Sequence, residues 1–369
     1  MADKKLKIGI VGCGGIMKWA HLPAYSHVDN VEIVALCDIV PGRCEETKEY
    51  AKNSVGTDII ANARCYTDFY EFIQDPDIES IDICVPNYLH APFAIKALEL
   101  GKHVFCEKPD SVSVEDVMKM KEASEKAVKV LMIMRKTRHV AASKKLKKMA
   151  DAGEFGDIYA GRCGWVRRRG IPGKGGWFTT KEQSGGGPLI DLGVHMIDLA
   201  MYLMGNPTPV AVSGSIYTKF ADDDADASSE HANFGEAQAG GTFDVEDLAM
   251  GFIKFDNGAC LQIEFSWASN IEEYDRNFVE LRGSKAGIKW EQSGTSCKIL
   301  SEAFGSLIDV DVKEEGYMTG HEGNLRHYLD VVLNGAKPDF VPQQGVNMIK
   351  ILRAIYKSAE TGKEVSLVD

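Results

Sequence analysis

Three residues of this chain have the chemistry to take a proton from a hydroxyl group and steady the charge left on its oxygen: Lys108, Asp191 and His195. Lys108 closes the run "HVFCEKP", where β-prone residues lead into Glu107, the lysine and Pro109. Such a run ends a buried strand with an ammonium group at its tip, and the proline fixes the next backbone angle. Asp191 and His195 lie four residues apart in "GGGPLIDLGVHMIDLAMYLMG", so a helix puts them on one face. A histidine with an ordinary pKa of about 6.5 suits removal of the proton. Lysine supplies a hydrogen bond to the oxygen as charge builds, and aspartate orients the substrate or the imidazole. Taken singly, each feature reads as structure, because strand-end lysines are usually solvated and Asp-x-x-x-His pairs are more often architectural. Together they point to oxidation of a carbinol, which also needs a hydride acceptor.

The acceptor's site is legible near the start. "KIGIVGCGGIMKW" places Gly12 and Gly14 after a strand and before a helix, as a tight turn facing a pyrophosphate requires. Met17 stands where a third glycine is usual. Asp38 ends the second strand, 24 residues after Gly14, where a carboxylate accepts both ribose hydroxyls and repels a 2′-phosphate. NAD is therefore expected over NADP, with Arg43 nearby softening the preference. The same reading assigns Gly15, Ile16, Pro86, Asn87, His90, Glu107 and Lys108 to the cofactor.

The elements that must position these groups change character along the chain. Up to about residue 135, β-branched runs alternate with helical stretches, which implies parallel pairing and an α/β, doubly wound Rossmann domain over 1–135. Ser113 and Asp116 form a capping box for one of its helices. Residues 136–369 read as an α+β domain for substrate binding and oligomerisation. It has a mainly antiparallel sheet, helices on one side, and final helices that can return to the first domain. Asp256-Asn257-Gly258 between "FIKF" and "ACLQIEFSW" predicts a hairpin. Gly193, in the middle of a helix that alanine would favour by about 1 kcal/mol, predicts a close approach there by a ligand or another backbone. The Pro188–Gly205 stretch is expected as one helix, with Asp198 in a structural role. The acidic, Gly/Ala-rich stretch 220–243 reads as a mobile loop inserted in the sheet.

Between Gly164 and Gly187 the chain is rich in Gly, Arg and Trp. Trp165 and Trp177 could stack on a sugar ring, and arginines could bond hydroxyls or an anion. Arg167 and Arg169 share one side of an extended segment, Arg168 the other. Lys144, Lys145, Lys147 and Lys148 read as a solvated helix face. "GHEGN" at 320–324 contains His321 but no metal-ligand pattern, and no metal is expected.

The net charge of −12 argues against nucleic acid or an anionic membrane as partner. No apolar run reaches the roughly 18 residues of a membrane span. Nine scattered cysteines without a CxxC pair suit a reducing cytoplasm.

The sequence resembles the Gfo/Idh/MocA oxidoreductases through "GIVGCGGI", "VPNYLH", "CEKP", "DAGEFGDI" and "GGGPLIDLGVHMIDL", in order over nearly the whole chain. The resemblance implies that Lys108, Asp191 and His195 are the catalytic Lys, Asp and His. It implies NAD-dependent transfer between a sugar, cyclitol or glycoside hydroxyl and the nicotinamide. It also implies a homo-oligomer, dimer or tetramer, built on the exposed sheet face of the second domain. Two other readings remain: oxidation-assisted glycoside cleavage, and a non-catalytic NAD sensor, which would have no use for the Lys, Asp and His together.

Overall fold

The computed structural model describes residues 5–221, 235–313 and 319–368. The chain divides into two compact units, Met1–Met134 with Thr319–Val346, and Arg135–Met318 with Asn347–Asp369.

In the first unit, β1 (Leu6–Val11), β2 (Val31–Cys37), β3 (Arg64–Tyr66), β4 (Ser80–Ile83), β5 (His103–Cys106) and β6 (Leu131–Ile133) form one parallel sheet in the order β3-β2-β1-β4-β5-β6. A parallel sheet is covered on both faces, so its strands are near-continuous apolar runs instead of alternating ones. Ile10, Ile81, Ile83 and Val104 are accordingly fully buried. The strand order reverses between β1 and β4, and the crevice beyond their carboxyl ends is where a doubly wound sheet takes its ligand. Ser113 caps its helix, its hydroxyl accepting the Asp116 N–H, but its own N–H goes to Ser111 Oγ and not to Asp116, so only half of the expected capping box forms. Strand β3, whose three residues are exposed or half-buried and form no apolar run, and the four-residue helix Phe69–Phe72, capped by Asp68, have no counterpart in the sequence reading. The helix Gly320–Asn334 completes this unit, with Leu325, Tyr328 and Leu329 in its core.

The second unit holds β7 (Ile158–Arg167), β8 (Pro209–Tyr217), β9 (Leu248–Phe255), β10 (Cys260–Ser266), β11 (Asp275–Gly283), β12 (Gly287–Glu291), β13 (Ser296–Ala303), β14 (Ser306–Asp311) and β15 (Val365–Ser366). They pair in the order β14-β13-β12-β11-β7-β10-β9-β8-β15. Among the described residues the β7–β10 pair is parallel and the rest are antiparallel. β9 and β10 are the expected hairpin, with Gly258 at φ +83° in its turn. Along β9 the side chains of Ala249, Ile253 and Phe255 are buried while Met250, Phe252 and Lys254 are exposed. One sheet face is therefore the core side, packed by the helix Gly193–Leu203 against β7, β10 and β11.

Most of the acidic insert, 222–234, lies outside the described residues. The part from Gly235 onward is tied to the Gly-rich segment before the Pro188–Asp191 helix. The Gln238 N–H bonds the Lys174 carbonyl, the Thr179 hydroxyl bonds the Thr242 carbonyl, and the Asp244 carboxylate accepts the Lys181 N–H. Glycines at 173, 175, 235 and 241 let two backbones touch there, a pairing that composition alone does not reveal.

Candidate active site

At the crevice of the first unit, Gly12 has φ +92°, and a Cβ there would sit 2.3 Å from the Cys84 carbonyl oxygen, so this turn admits glycine alone. A Cβ on Gly14 would meet nothing within 4 Å, which leaves the space a pyrophosphate needs. Asp38 accepts the Cys13 N–H at 2.9 Å on one oxygen and the Val40 N–H at 2.9 Å on the other. Each oxygen keeps a lone pair for a ribose hydroxyl. Arg43 lies 3.6 Å from Glu46, and its Nε makes no hydrogen bond.

Lys108 follows β5 and is half-buried. The peptide bond between Lys108 and Pro109 is cis. His90 braces this turn from below, its Nδ1 2.7 Å from the Pro109 carbonyl and its Nε2 2.9 Å from the Val85 carbonyl. Burial lowers its pKa, so a neutral ring donates to one of the two. Asn87 is buried at the end of β4, and Pro86 precedes it in extended backbone. Glu107 uses one carboxylate oxygen for His21 and the other for the Lys108 N–H.

In the second unit the segment carrying Asp191 and His195 is a short helix, Pro188–Asp191, followed through Leu192 by Gly193–Leu203, which corrects the expectation of one helix over Pro188–Gly205. Asp191 and His195 stand on either side of this joint, both 7% exposed. The Trp267 indole N–H donates to Asp191 Oδ2 at 3.0 Å and fixes that carboxylate. The Trp165 ring lies 5.8 Å from the His195 ring and offers an aromatic surface beside it. Glu246 secures the start of the segment: its carboxylate accepts the N–H groups of Gly187 and Leu189 and the Tyr356 hydroxyl. Burial pushes the Glu246 pKa up, against the opposing pull of those donors.

Residues 6–134 match the oxidoreductase family with an NAD-binding Rossmann fold, and 143–289 match the Gfo/Idh/MocA C-terminal domain. The D-glucoside 3-dehydrogenase of Escherichia coli (strain K12) is 31% identical over 369 residues, covering 100% of this chain and 99% of its own. The chain belongs to the Gfo/Idh/MocA oxidoreductase family. The levoglucosan dehydrogenase of Pseudarthrobacter phenanthrenivorans is 31% identical across 98% of this chain and 91% of its own. A levoglucosan dehydrogenase structure in complex with NADH and levoglucosan superposes with a TM-score of 0.84, at 22% identity, over 99% of this chain and 100% of that one. That likeness shows the shared fold. The protein is thus an enzyme, an oxidoreductase with NAD as its cofactor.

The positions expected to touch substrate in this oxidoreductase are already engaged within the second unit. Arg167 is buried, its Nε 3.3 Å from Asp275 and its guanidinium 5.1 Å from the Trp165 ring. Arg169 donates to the Ser269 carbonyl and to Asn270, and lies over Phe220. Trp177 stacks on Phe178 with ring centroids 3.8 Å apart. Asp198 has the structural role expected of it, holding Arg135 at 3.0 Å and Arg138 at 2.7 and 2.6 Å. The close approach at Gly193 is made by the Phe265 ring, 3.3 Å from where a Cβ would be. The nearest protein group is thus a side chain and not another backbone.

His21, Asp82, Trp267, Glu246 and Asp275 escaped the sequence reading, since their partners lie 57 to 110 residues away. His21 alone carried a local signal, one buried turn beyond the glycine loop. Among the described residues His21, Asp82 and Cys84 form a cluster of metal-ligating types. Both ring nitrogens of His21 already face carboxylates, so the geometry is that of an ion-paired imidazolium.

Proposed function

We propose that this enzyme oxidises a hydroxyl of a sugar, cyclitol or glycoside with NAD, assisted by Lys108, Asp191 and His195. The observation that carries the reading is the second unit's own arrangement: a buried acid and histidine on either side of one helix joint, the acid fixed by Trp267 and an indole ring beside the histidine. The curated glucoside and levoglucosan dehydrogenases, each 31% identical, support a sugar-type substrate.

NAD supplies the acceptor for the hydrogen that leaves carbon. Gly12, Gly14, Gly15 and Ile16 would face its pyrophosphate, Asp38 its adenosine ribose, and Pro86, Asn87, Glu107 and Lys108 the nicotinamide end. His195 removes the hydroxyl proton, and Asp191 holds substrate or imidazole in line. Lys108 donates to the reacting oxygen as its charge grows. Trp165 gives the apolar face of a pyranose or cyclitol ring a surface to stack on, with Arg167, Arg169 and Trp177 lining the approach. Asp38 favours NAD over NADP by charge.

A homo-oligomer built on the exposed sheet face completes the proposal, and a reducing cytoplasm suits the nine cysteines, all free. No described helix is long and apolar enough to cross a membrane. The deciding experiment follows NADH formation with NAD⁺ against cyclitols, free aldoses and aryl glycosides, with aglycone release recorded alongside. NADH confined to one group, lost in Lys108→Ala, establishes the dehydrogenase and its substrate class. Aglycone release without NADH moves the assignment to oxidation-assisted cleavage. Silence in both channels rejects the sugar reading.

A further inference from the structure

We propose that His21 is a positioning residue for Lys108, acting through the carboxylate of Glu107. The inference rests on the reading of Lys108 as a group that touches the reacting oxygen. Its geometry belongs wholly to the first unit. Asp82 is the third residue of β4, Glu107 follows β5, and His21 lies on the helical stretch after the glycine turn. His21 Nδ1 is 2.7 Å from Asp82 Oδ2, and its Nε2 is 2.8 Å from Glu107 Oε1. The Tyr25 hydroxyl donates to the same Asp82 oxygen at 2.9 Å. Glu107 Oε2 then accepts the backbone N–H of Lys108 at 3.1 Å. A continuous line of hydrogen bonds thus runs from the sheet to the residue that carries the ammonium group.

The side chains of His21, Asp82 and Glu107 are 1%, 0% and 7% exposed. Burying three charges is a poor way to gain stability, because well-packed apolar residues of the same volume serve as well or better. What the charges add is direction. Glu107 has no freedom to turn once His21 holds one oxygen, so the other stays aimed at the Lys108 N–H. Misplacing a catalytic group by about 1 Å costs on the order of 100-fold in rate. The groups facing His21 are Asp82, Glu107, the Cys84 thiol 3.6 Å from Nδ1, and the His321 ring 6.0 Å away. Burial works against a charged ring here, but Asp82 and its neighbours hold the His21 pKa well above the ordinary value. Both nitrogens therefore carry protons and donate.

Two substitutions separate positioning from stability. In His21→Gln the amide nitrogen falls near the old Nε2, keeping the donor to Glu107 and giving up Asp82. In His21→Asn it falls near Nδ1, keeping Asp82 and giving up Glu107. Each breaks one buried bond, so a merely structural histidine predicts equal losses of thermal midpoint and of turnover. The positioning role predicts similar midpoints but a kcat at least about tenfold lower in His21→Asn than in His21→Gln. NADH affinity should stay within about threefold of wild type in both. Equal kcat losses, or losses that follow the midpoints, would overturn it.

Acylation of Lys108, followed by peptide mass spectrometry, reads the same effect without turnover: His21→Gln should label like wild type and His21→Asn should not. If wild type is silent on every polyol, the dehydrogenase reading falls while the labelling still decides the role of His21. Should neither variant fold, ¹⁵N-histidine spectra of wild type decide instead. Two protonated ring nitrogens at neutral pH support the relay, and a bare nitrogen, or stoichiometric zinc by elemental analysis, refutes it.

Discussion

At the scale of single residues, the candidate groups of each unit respond to different substitutions. The Trp267 indole reaches Asp191 at 3.0 Å in a setting where Trp267 is fully buried. A hydrogen bond to a charged group is worth about 1.5–3 kcal/mol, so Trp267→Phe should lower kcat by about 10- to 100-fold. NADH affinity, set in the first unit, should not move, and fluorescence titration of the variant checks this. Asp38 makes the opposite prediction. Asp38→Ser removes the charge that repels a 2′-phosphate, so the NADP-to-NAD ratio of kcat/KM should rise by at least about tenfold, with kcat at saturating cofactor preserved. An unchanged ratio would mean that Asp38 serves the loop through its bonds to Cys13 and Val40 and not the ribose.

Elements are held to one another by buried polar groups more than by their own propensities. The segment carrying Asp191 and His195 starts at three glycines and a proline, a sequence with little intrinsic wish to begin a helix there. Glu246 compensates by accepting two of the N–H groups that a helix start leaves open. Gly187 must be glycine because a Cβ would stand 2.0 Å from the Glu246 carbonyl oxygen. Glu246→Ala leaves Gly187 N–H, Leu189 N–H and the Tyr356 hydroxyl without their acceptor, at a cost of about 3 kcal/mol in denaturant unfolding. Lys108→Ala, by contrast, should cost turnover by about 100-fold and leave the unfolding midpoint nearly in place. The described part of the acidic insert leads directly into Glu246, so the inserted segment and the Pro188–Asp191 helix are mechanically joined.

For the molecule as a whole, two solution properties follow. Met250 and Phe252, 37% and 50% exposed, share the uncovered face of the large sheet with Gln262 on β10 and with the Arg162–Glu280 ion pair at 2.7 Å. Under the proposed assembly on this face, Phe252→Asp should give a monomer in light scattering without loss of helix content. A monomeric wild type would overturn the assembly. The second property is acid sensitivity. His21 and its neighbours outweigh burial and hold the Glu107 pKa down at about 2, below the ordinary 4.5. A depressed carboxylate contributes stability that is present above its unfolded pKa and is lost as pH falls through its folded one. The difference in thermal midpoint between wild type and Glu107→Gln should therefore be constant above about pH 4.5 and shrink towards pH 2. A difference that grows on acidification would contradict the ion pair.

Much of this protein follows from local order along the chain. Apolar runs such as "KIGIVG" and "IDICVPN" can only be strands covered on both sides, and a parallel sheet places whatever ends them in one crevice. Lys108 and Asp38 were therefore legible as candidates from their positions at strand ends, and Asp191 with His195 from their four-residue spacing. The cap at Ser113 and the turn at Gly258 are likewise short-range physics. Tertiary structure decided the rest, because a buried charge or an indole N–H finds its partner across the fold and leaves no periodic trace. Trp267 meets Asp191 from 76 residues away, Glu246 meets Gly187 from 59, and His21 joins Asp82 and Glu107 from 61 and 86. The sequence alone determined which groups could do the chemistry; only the packing of distant segments determined which other groups hold them still.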